Sequence, residues 1–204
     1  MNSTTTQTQF SRLRALSAID AESVVRDPML RWLVVLPLGI ALVVRVGLPL
    51  VLAQLGRLAG QNLGWLQAPL AAYINVSLAP MLAGSVVGFL LLDQRDDGTL
   101  LALRVTPLAP DWYVAYRLAA PLIVATLMAW LALLLSGSAG LTAWTALLAA
   151  AGAAPLAPLI ALALAVAARN KVEGFAFSKA ASVLQVAPLA MLFLPASWQL
   201  WFAP

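Results

Sequence analysis

Five long apolar stretches limit what this 204-residue chain can fold into. They cover approximately residues 30–52, 66–92, 112–135, 141–168 and 175–194. Each is about as long as the ~20 residues that an α-helix needs to cross a hydrocarbon layer ~30 Å thick. A helix satisfies its own backbone hydrogen bonds in lipid, and the stretches lack the alternation of a membrane β-barrel. The sequence therefore predicts an all-α, polytopic membrane helix bundle with five transmembrane helices.

The composition supports this prediction and excludes several kinds of chemistry. Hydrophobic residues make up 62% of the chain and charged residues only 10%. The chain has no cysteine and no histidine, so disulfides, thiolate or imidazole metal sites and the usual histidine base are excluded. No acidic residue lies deep in an apolar stretch, which argues against an enzyme and against a simple proton-driven carrier.

The basic residues lie mainly in alternate connections between the stretches. Those before the first stretch and around the second and fourth connections are Arg12, Arg14, Arg26, Arg31, Arg95, Arg104, Arg117, Arg169, Lys171 and Lys179. The opposite connections hold only Arg57. The positive-inside rule therefore predicts a cytoplasmic N-terminus. Basic residues spread in this way are expected at a membrane surface, and they do not form a nucleic-acid footprint.

Four polar residues inside the stretches are candidates for a substrate path: Arg45, Tyr73, Asn75 and Gln185. Arg45 is the one charge that lies deep in an apolar stretch, where it costs about 2.5–3.5 kcal/mol unless it extends toward the head groups. For the others, hydrogen bonds between helices are the common alternative to substrate contact. The extra length of the second and fourth stretches predicts tilt, a kink or a partly re-entrant segment.

The polar connection from Asp93 to Trp112 predicts a short amphipathic helix. Asp96 and Asp97 are placed to cap its N-terminus, leucines give it an apolar face, and Pro107 marks its end. Such a helix either lies on the lipid surface or inserts into a groove of a cytoplasmic partner. Composition leaves both interpretations open.

Three segments in the expected order resemble one family of membrane proteins. The run 92–108 looks like the acidic-Gly-Thr-Leu…Ala-Leu…Thr-Pro-Leu signature of ABC-2 type transporter permeases. Residues 26–30 resemble the opening of the first span in the bacterial drug-export branch, which includes fluoroquinolone export permeases. Residues 170–174 are similar to the Asn-Lys-Val-Glu-Gly stretch that follows the fourth span in that branch. The resemblance covers about residues 20–195.

The resemblance implies a permease subunit of an ATP-driven exporter in the bacterial cytoplasmic membrane, moving an amphipathic organic compound or drug. Two permeases, identical or paralogous, would pair with two cytoplasmic ATPase subunits. ATP and Mg²⁺ would bind the ATPase, with no cofactor on this chain, whose sequence contains no Gly-x-x-x-x-Gly-Lys-Ser/Thr loop. A secondary carrier or channel subunit, or a membrane scaffold that does not transport, is the alternative.

The resemblance also assigns roles to particular residues within a single transmembrane domain, 1–204. A coupling helix within the loop 93–111 would touch the ATPase through Asp97, Gly98, Thr99, Leu100, Leu103 and Arg104. A second contact would consist of Asn170, Lys171, Glu173 and Gly174. Residues 1–29 would form a cytoplasmic tail and an interfacial elbow, although Asp20 falls among the apolar positions of that helix. Six spans are usual in the family, against the five predicted before Pro204.

Overall fold

A computed structural model describes residues 2–98, 110–137 and 140–185, and the regular structure in these ranges is entirely helical. The helices are α1 (Asn2–Arg26), α2 (Pro28–Ala59), α3 (Gln67–Asp96), α4 (Pro110–Ser136), α5 (Ala143–Ala153), α6 (Leu156–Ala167) and α7 (Lys171–Leu184). A short 3-10 helix, Gly64–Leu66, precedes α3. The predicted all-α polytopic bundle is confirmed.

Four segments in the described ranges are long and apolar enough to cross a membrane. They are Pro28–Ala59, Gly64–Asp96, Asp111–Ser136 and Ala143–Ala167, and they correspond to the first four predicted stretches. The fifth stretch is described only as far as Gln185, within and just after α7, so its role as a span stays a prediction. The predicted amphipathic helix falls almost entirely on residues 99–109, outside the described residues.

Asp27 and Pro28 separate the N-terminal helix from the first span. The Asp27 carboxylate accepts hydrogen bonds from the backbone N–H groups of Met29, at 2.8 Å, and Leu30, at 3.4 Å. These bonds cap α2, and Pro28 occupies the first helical position, where a missing N–H is harmless. The predicted elbow is therefore a helix of its own, α1, which ends at Arg26 before the span begins.

Successive spans run in opposite directions, which gives the bundle two distinct ends. We call the charged end the one that contains the α1–α2 junction, the end of α3, the start of α4 and the α6–α7 junction. Lys171 contacts both Asp27 and Asp93 there. At the opposite end, the Arg45 guanidinium donates a hydrogen bond of 3.2 Å to the carbonyl of Leu135, near the end of α4. Within the spans, charged side chains thus concentrate at one end.

The central helix is α3, which packs most closely against α6. In its most apolar window 61% of the residues are buried, against 17% in the corresponding window of α2. Gly84 and Gly88 face α6 one helical turn apart, in the Gly-x-x-x-Gly pattern that lets membrane helices approach closely. A Cβ atom on Gly84 would lie 2.4 Å from the carbonyl oxygen of Ala157, and one on Gly88 would lie 2.9 Å from the Cβ of Leu164.

The fourth span is interrupted, and its extra length predicts tilt, a kink or a partly re-entrant segment. Its first half, α5, ends at Ala153, and its second half, α6, begins at Leu156. Pro155 lies between them and has no N–H with which to continue the hydrogen-bond ladder. Of the three predicted possibilities for this stretch, the structure contains the kink.

We expect Gly84→Ala to destabilise the bundle by about 1–3 kcal/mol, because the added methyl group overpacks a backbone contact that cannot move aside easily. Gly39→Ala is the matched control, since a Cβ there meets nothing within 4 Å. It should leave stability unchanged or raise it slightly. SDS-induced unfolding of the purified protein in mixed micelles measures both variants. Equal stability of the two would contradict the close approach of α3 and α6.

Candidate functional site

Lys171 connects three helices at the charged end. Its Nζ lies 2.7 Å from Asp27 Oδ2 at the start of α2 and 2.8 Å from Asp93 Oδ2 in the last turn of α3. The three side chains are about one-third exposed. We call this group of three residues the lysine clasp. It fixes the first residue of α7 to the ends of two spans.

Local capping places the lysine clasp at the α6–α7 junction. Asn170 precedes α7, and its side-chain oxygen accepts the N–H of Glu173 at 3.0 Å, while the Glu173 carboxylate accepts the N–H of Arg169 at 2.9 Å. This is close to the capping box of a helix N-terminus. From α3, the Arg95 guanidinium donates to backbone carbonyls at the end of α6, including that of Ala168 at 2.8 Å. The junction is therefore held from both sides.

The lysine clasp shifts the titration of two of its members in opposite directions. The hydrogen bond from Lys171 lowers the pKa of the Asp27 carboxyl, and partial burial opposes this only in part. Burial disfavours the charged form of Lys171, but hydrogen bonds to Asp27 and Asp93 outweigh it and raise the pKa of the lysine. Asp27 and Lys171 are consequently both charged at neutral pH.

A buried ion pair joins α1 to the spans. Arg117, in the second turn of α4, places Nη1 2.9 Å from Asp20 Oδ2 in α1, with the two side chains 6% and 11% exposed. Tyr116 donates its hydroxyl to the same carboxylate oxygen at 2.7 Å. Gln94, in α3, donates to Asp20 Oδ1 at 3.2 Å and accepts from Arg117 Nη2 at 2.7 Å. Asp20 is thereby connected to both α3 and α4.

The remaining donors of this group are also used. Arg117 Nε donates to the Tyr113 hydroxyl at 3.1 Å, and that hydroxyl lies 3.3 Å from Gln94 Oε1. The guanidinium also lies over the rings of Tyr113 and Tyr116, at 5.2 and 5.5 Å from their centroids. We call these five residues, Asp20, Gln94, Tyr113, Tyr116 and Arg117, the Asp20–Arg117 network. Its opposite charges cancel, and its polar atoms bond mainly to one another.

An apolar cavity of about 590 Å³ begins at this network and lies among α1, α2, α3 and α4. Its lining includes Val24, Val34, Ala79, Ala83, Val86, Val87, Ala120, Ile123 and Met128, with Asp20, Tyr116 and Arg117 at one end. Along α4 it extends from Arg117 to Met128, a rise of about 16 Å for a helix. The cavity therefore reaches roughly half-way across a hydrocarbon layer ~30 Å thick.

The predicted ATPase-coupling residues fall into two groups. Asp97 and Gly98 lie at the end of α3, where Asp97 donates its backbone N–H to the Asp93 carbonyl and Gly98 adopts a left-handed φ of 68°. Both residues thus terminate α3. The predicted capping of a following helix by Asp96 and Asp97 concerns residues outside the described ranges. Thr99, Leu100, Leu103 and Arg104 also lie outside them.

The second predicted group, residues 170–174, lies beside the end of α3. Lys171 belongs to the lysine clasp, and Asn170 and Glu173 form the cap of α7. Gly174 faces α3 so closely that a Cβ there would be 3.0 Å from both Leu92 and Phe89. Asp97 and Gly98, the described members of the first group, directly follow the last turn of α3, which Lys171 contacts through Asp93. The contact of both groups with an ATPase stays a prediction.

The four predicted substrate-path residues do not form one site. Tyr73 donates its hydroxyl to the backbone carbonyl of Gln185, which joins α3 to the end of α7. Asn75 is buried, but its amide donates to the Ala71 carbonyl in its own helix, and its Oδ1 has no partner in the described residues. The interhelical bond is thus observed for Tyr73 and not for Asn75. None of the four is among the residues that line the large cavity.

Arg45 is not the buried charge of the spans. Its side chain is exposed near the end of α4, in contact with the carbonyl of Leu135, whereas Arg117 is buried in the Asp20–Arg117 network. The end contact of Arg45 favours the interpretation in which its side chain extends toward the head groups, and its role in a substrate path stays a prediction. Asp20, among the apolar positions of α1, was the signal for its pair with Arg117, because a carboxylate on an apolar face needs a buried partner.

These features define a multi-spanning α-helical membrane protein with an apolar cavity among four of its helices. The family described as "Fluoroquinolones export permease protein Rv2686c-like" matches residues 20–204, and the chain belongs to this family. The chain is 33% identical over 200 residues to "Fluoroquinolones export permease protein Rv2686c" of Mycobacterium tuberculosis (strain ATCC 25618 / H37Rv). It is equally similar to "Fluoroquinolones export permease protein MT2760" of strain CDC 1551 / Oshkosh. Each alignment covers 93% of this chain and 77% of the relative.

No solved structure matches the chain. The family match confirms the resemblance to drug-export permeases that the three motifs indicated. It identifies the chain as an export permease of the membrane and thus as a transport subunit rather than an enzyme.

Breaking the Asp20–Arg117 pair should be costly. Asp20→Leu leaves the Arg117 guanidinium buried without a carboxylate, and we expect a loss of about 3–5 kcal/mol in stability. The double variant Asp20→Leu/Arg117→Leu should recover most of this loss, because no unpaired charge remains. A double-mutant cycle from SDS unfolding midpoints checks the coupling. Additive losses in the double variant would show that the two charges do not stabilise one another.

The lysine clasp should make stability depend on pH at the acidic limit. The pKa of Asp27 in the folded protein is lowered from its ordinary 3.8, so the unfolded chain binds more protons near that pH. The stability that the Asp27–Lys171 interaction contributes is therefore lost as the pH falls below about 3.8. Lys171→Met should cost about 1 kcal/mol at pH 7, and the difference from the original protein should shrink between pH 5 and pH 3.

Lys179→Met is the matched control, because the Lys179 ammonium lies over the Phe175 ring, 5.0 Å from its centroid. Its effect on stability should not change between pH 5 and pH 3. Thermal melting in detergent at each pH measures all three proteins. A Lys171→Met effect that stays constant over this range would contradict the Asp27–Lys171 interaction.

Proposed function

We propose that this chain is the transmembrane permease subunit of an ATP-driven ABC exporter, and that it moves an amphipathic organic compound out of the cell. The observation that carries the proposal is the lysine clasp at the charged end. Lys171 ties α7 and the start of α2 to Asp93, four residues before the start of the coupling segment at Asp97. A displacement of that segment would therefore act on three helices together.

The ATPase is expected on a separate polypeptide. The sequence contains no phosphate-binding loop, and the segment proposed to meet the ATPase follows directly after α3. Asp97, Gly98, Thr99, Leu100, Leu103 and Arg104 would form the first contact with it. Asn170, Lys171, Glu173 and Gly174 would support the second. In this arrangement ATP and Mg²⁺ bind the partner, and this chain needs no cofactor.

The orientation follows from charge. In the described residues, the spans and their junctions have only Arg45 and Arg57 as charged groups toward the opposite end, whereas acids and bases cluster at the charged end. By the positive-inside rule, the charged end would face the cytoplasm and α1 would lie at the cytoplasmic surface of the inner membrane. The exposed leucines and valines of α2 leave a broad apolar face for lipid or for a second permease copy or paralogue.

The class of cargo is taken from the relatives. The curated relatives are named as fluoroquinolones export permeases, and an identity of 33% supports an organic drug-like compound as the cargo class of this chain too. An amphipathic compound fits a permease whose large described cavity is apolar along its length and polar at one end.

The test is co-purification from the native host in mild detergent, with this chain as bait. We expect a P-loop ATPase in near-equal amount. In the reconstituted complex, Leu100→Ala and Arg104→Ala should lower transport per ATP hydrolysed severalfold, because the proposed contact is lost while the spans stay folded. Arg57→Ala, in the last turn of α2 toward the opposite end of the bundle, is the matched control and should leave this ratio unchanged. A chain that purifies alone, in detergent and in lipid, would refute the ATP-driven function.

A further inference from the structure

The cavity beside the Asp20–Arg117 network has no assigned occupant. We propose that it is a binding site within a single chain for a compound of no net charge with a mainly apolar body, and that the exported compound binds there. The assignment of this occupant as cargo rests on the proposed export function. The binding of an uncharged apolar compound in the cavity does not depend on that function.

The size and lining of the cavity favour an apolar occupant over water. A volume of about 590 Å³ lies in the range of small-molecule sites, roughly 300–1,000 Å³. A buried water molecule needs about 2–4 polar partners, and most of this lining is valine, alanine, leucine and isoleucine. Water would find such partners only near the Asp20–Arg117 network. An apolar molecule would gain contacts along the rest of the wall.

The polar end of the cavity selects against a net charge. Asp20 and Arg117 neutralise each other, and their hydrogen bonds go to Tyr113, Tyr116 and Gln94. A bound anion would find the guanidinium already paired, and a bound cation would find the carboxylate already paired. An unpaired ion at membrane depth would therefore have no counter-ion in the cavity, which is costly in this environment.

Small side chains from two neighbouring helices contribute to the lining. Ala79 and Ala83 lie on α3, and Ala119 and Ala120 lie on α4. Ala120 on α4 and Val87 on α3 are half-buried members of the lining, so each can be enlarged separately. A larger apolar side chain at either position would reduce the cavity without creating a charge or removing a hydrogen bond.

The experiment measures binding of N-phenyl-1-naphthylamine, an uncharged fluorescent probe, to the purified chain in lipid nanodiscs, after subtraction of the signal from empty nanodiscs. Its sulfonated analogue, 8-anilinonaphthalene-1-sulfonate, has the same rings and a negative charge. We expect saturable binding of the uncharged probe and much weaker binding of the anion. Ala120→Phe should weaken binding of the uncharged probe about tenfold or more, since filling the cavity forces overpacking.

Ala149→Phe is the matched control, because Ala149 is exposed on α5 and does not line the cavity. Its affinity for the probe should stay within about twofold of the original. Val87→Phe provides a second filling variant from α3, should Ala120→Phe fail to fold by size-exclusion chromatography and circular dichroism. Unchanged affinity in a folded filling variant would overturn the site.

Two further outcomes separate the parts of the proposal. Native mass spectrometry could find a lipid that is retained by the original protein and by Ala149→Phe but not by Ala120→Phe. If the probe also shows no saturable binding, the cavity holds a lipid, and the assignment to a free compound is overturned. In the ATPase complex, the uncharged probe should stimulate hydrolysis through the original and Ala149→Phe chains, but not through Ala120→Phe. Binding without such stimulation in an active complex would overturn the cargo role. Probe binding needs no ATPase, so the site can stand or fail independently of the export function.

Discussion

The fold depends on contacts that hold the helices together within lipid, because apolar helices gain no hydrophobic free energy when they exchange lipid contacts for contacts with one another. The bundle depends instead on close packing and on buried polar contacts. Gly84 and Gly88 bring α3 against α6, and buried alanines such as Ala79 and Ala129 fill the contacts around α3. The exposed apolar side chains of α2 need no partner within the chain, since lipid can surround them.

The two polar groups at the charged end meet on neighbouring residues of α3. Asp93 belongs to the lysine clasp, and Gln94 belongs to the Asp20–Arg117 network. The first group ties α2 and α7 to α3, while the second ties α1 and α4 to it. The last turn of the central helix thus connects elements from both halves of the sequence, directly before the segment proposed to contact an ATPase.

Hydropathy was sufficient to locate four spans, because length and apolar content alone decide whether a helix can cross a membrane. Pro155 accounts for the break in the fourth span, because proline has no N–H with which to continue the hydrogen-bond ladder of a helix. The pairing of Asp20 with Arg117 could not be predicted, since the two residues are 97 positions apart in sequence. Their contact depends on how α1 and α4 are rotated against each other. The cavity could not be predicted from the sequence either, because it arises from the way four helices pack together. For Arg45, the sequence allowed a side chain that extends toward the head groups, and the structure adds its contact with the Leu135 carbonyl.

The break in the fourth span has a mechanical consequence. The half-helix α5 contacts mainly α4, for example through Ala150 and Ala129, whereas α6 contacts mainly α3 through the close approach at Gly84 and Gly88. Each half is therefore a rigid rod bonded to a different neighbour, with Pro155 as the joint between them. If α3 shifts relative to α4, a bend at this joint lets α5 keep its contact with α4 and α6 keep its contact with α3, so that the sliding falls mainly on the interfaces that α4 makes with α3 and α6.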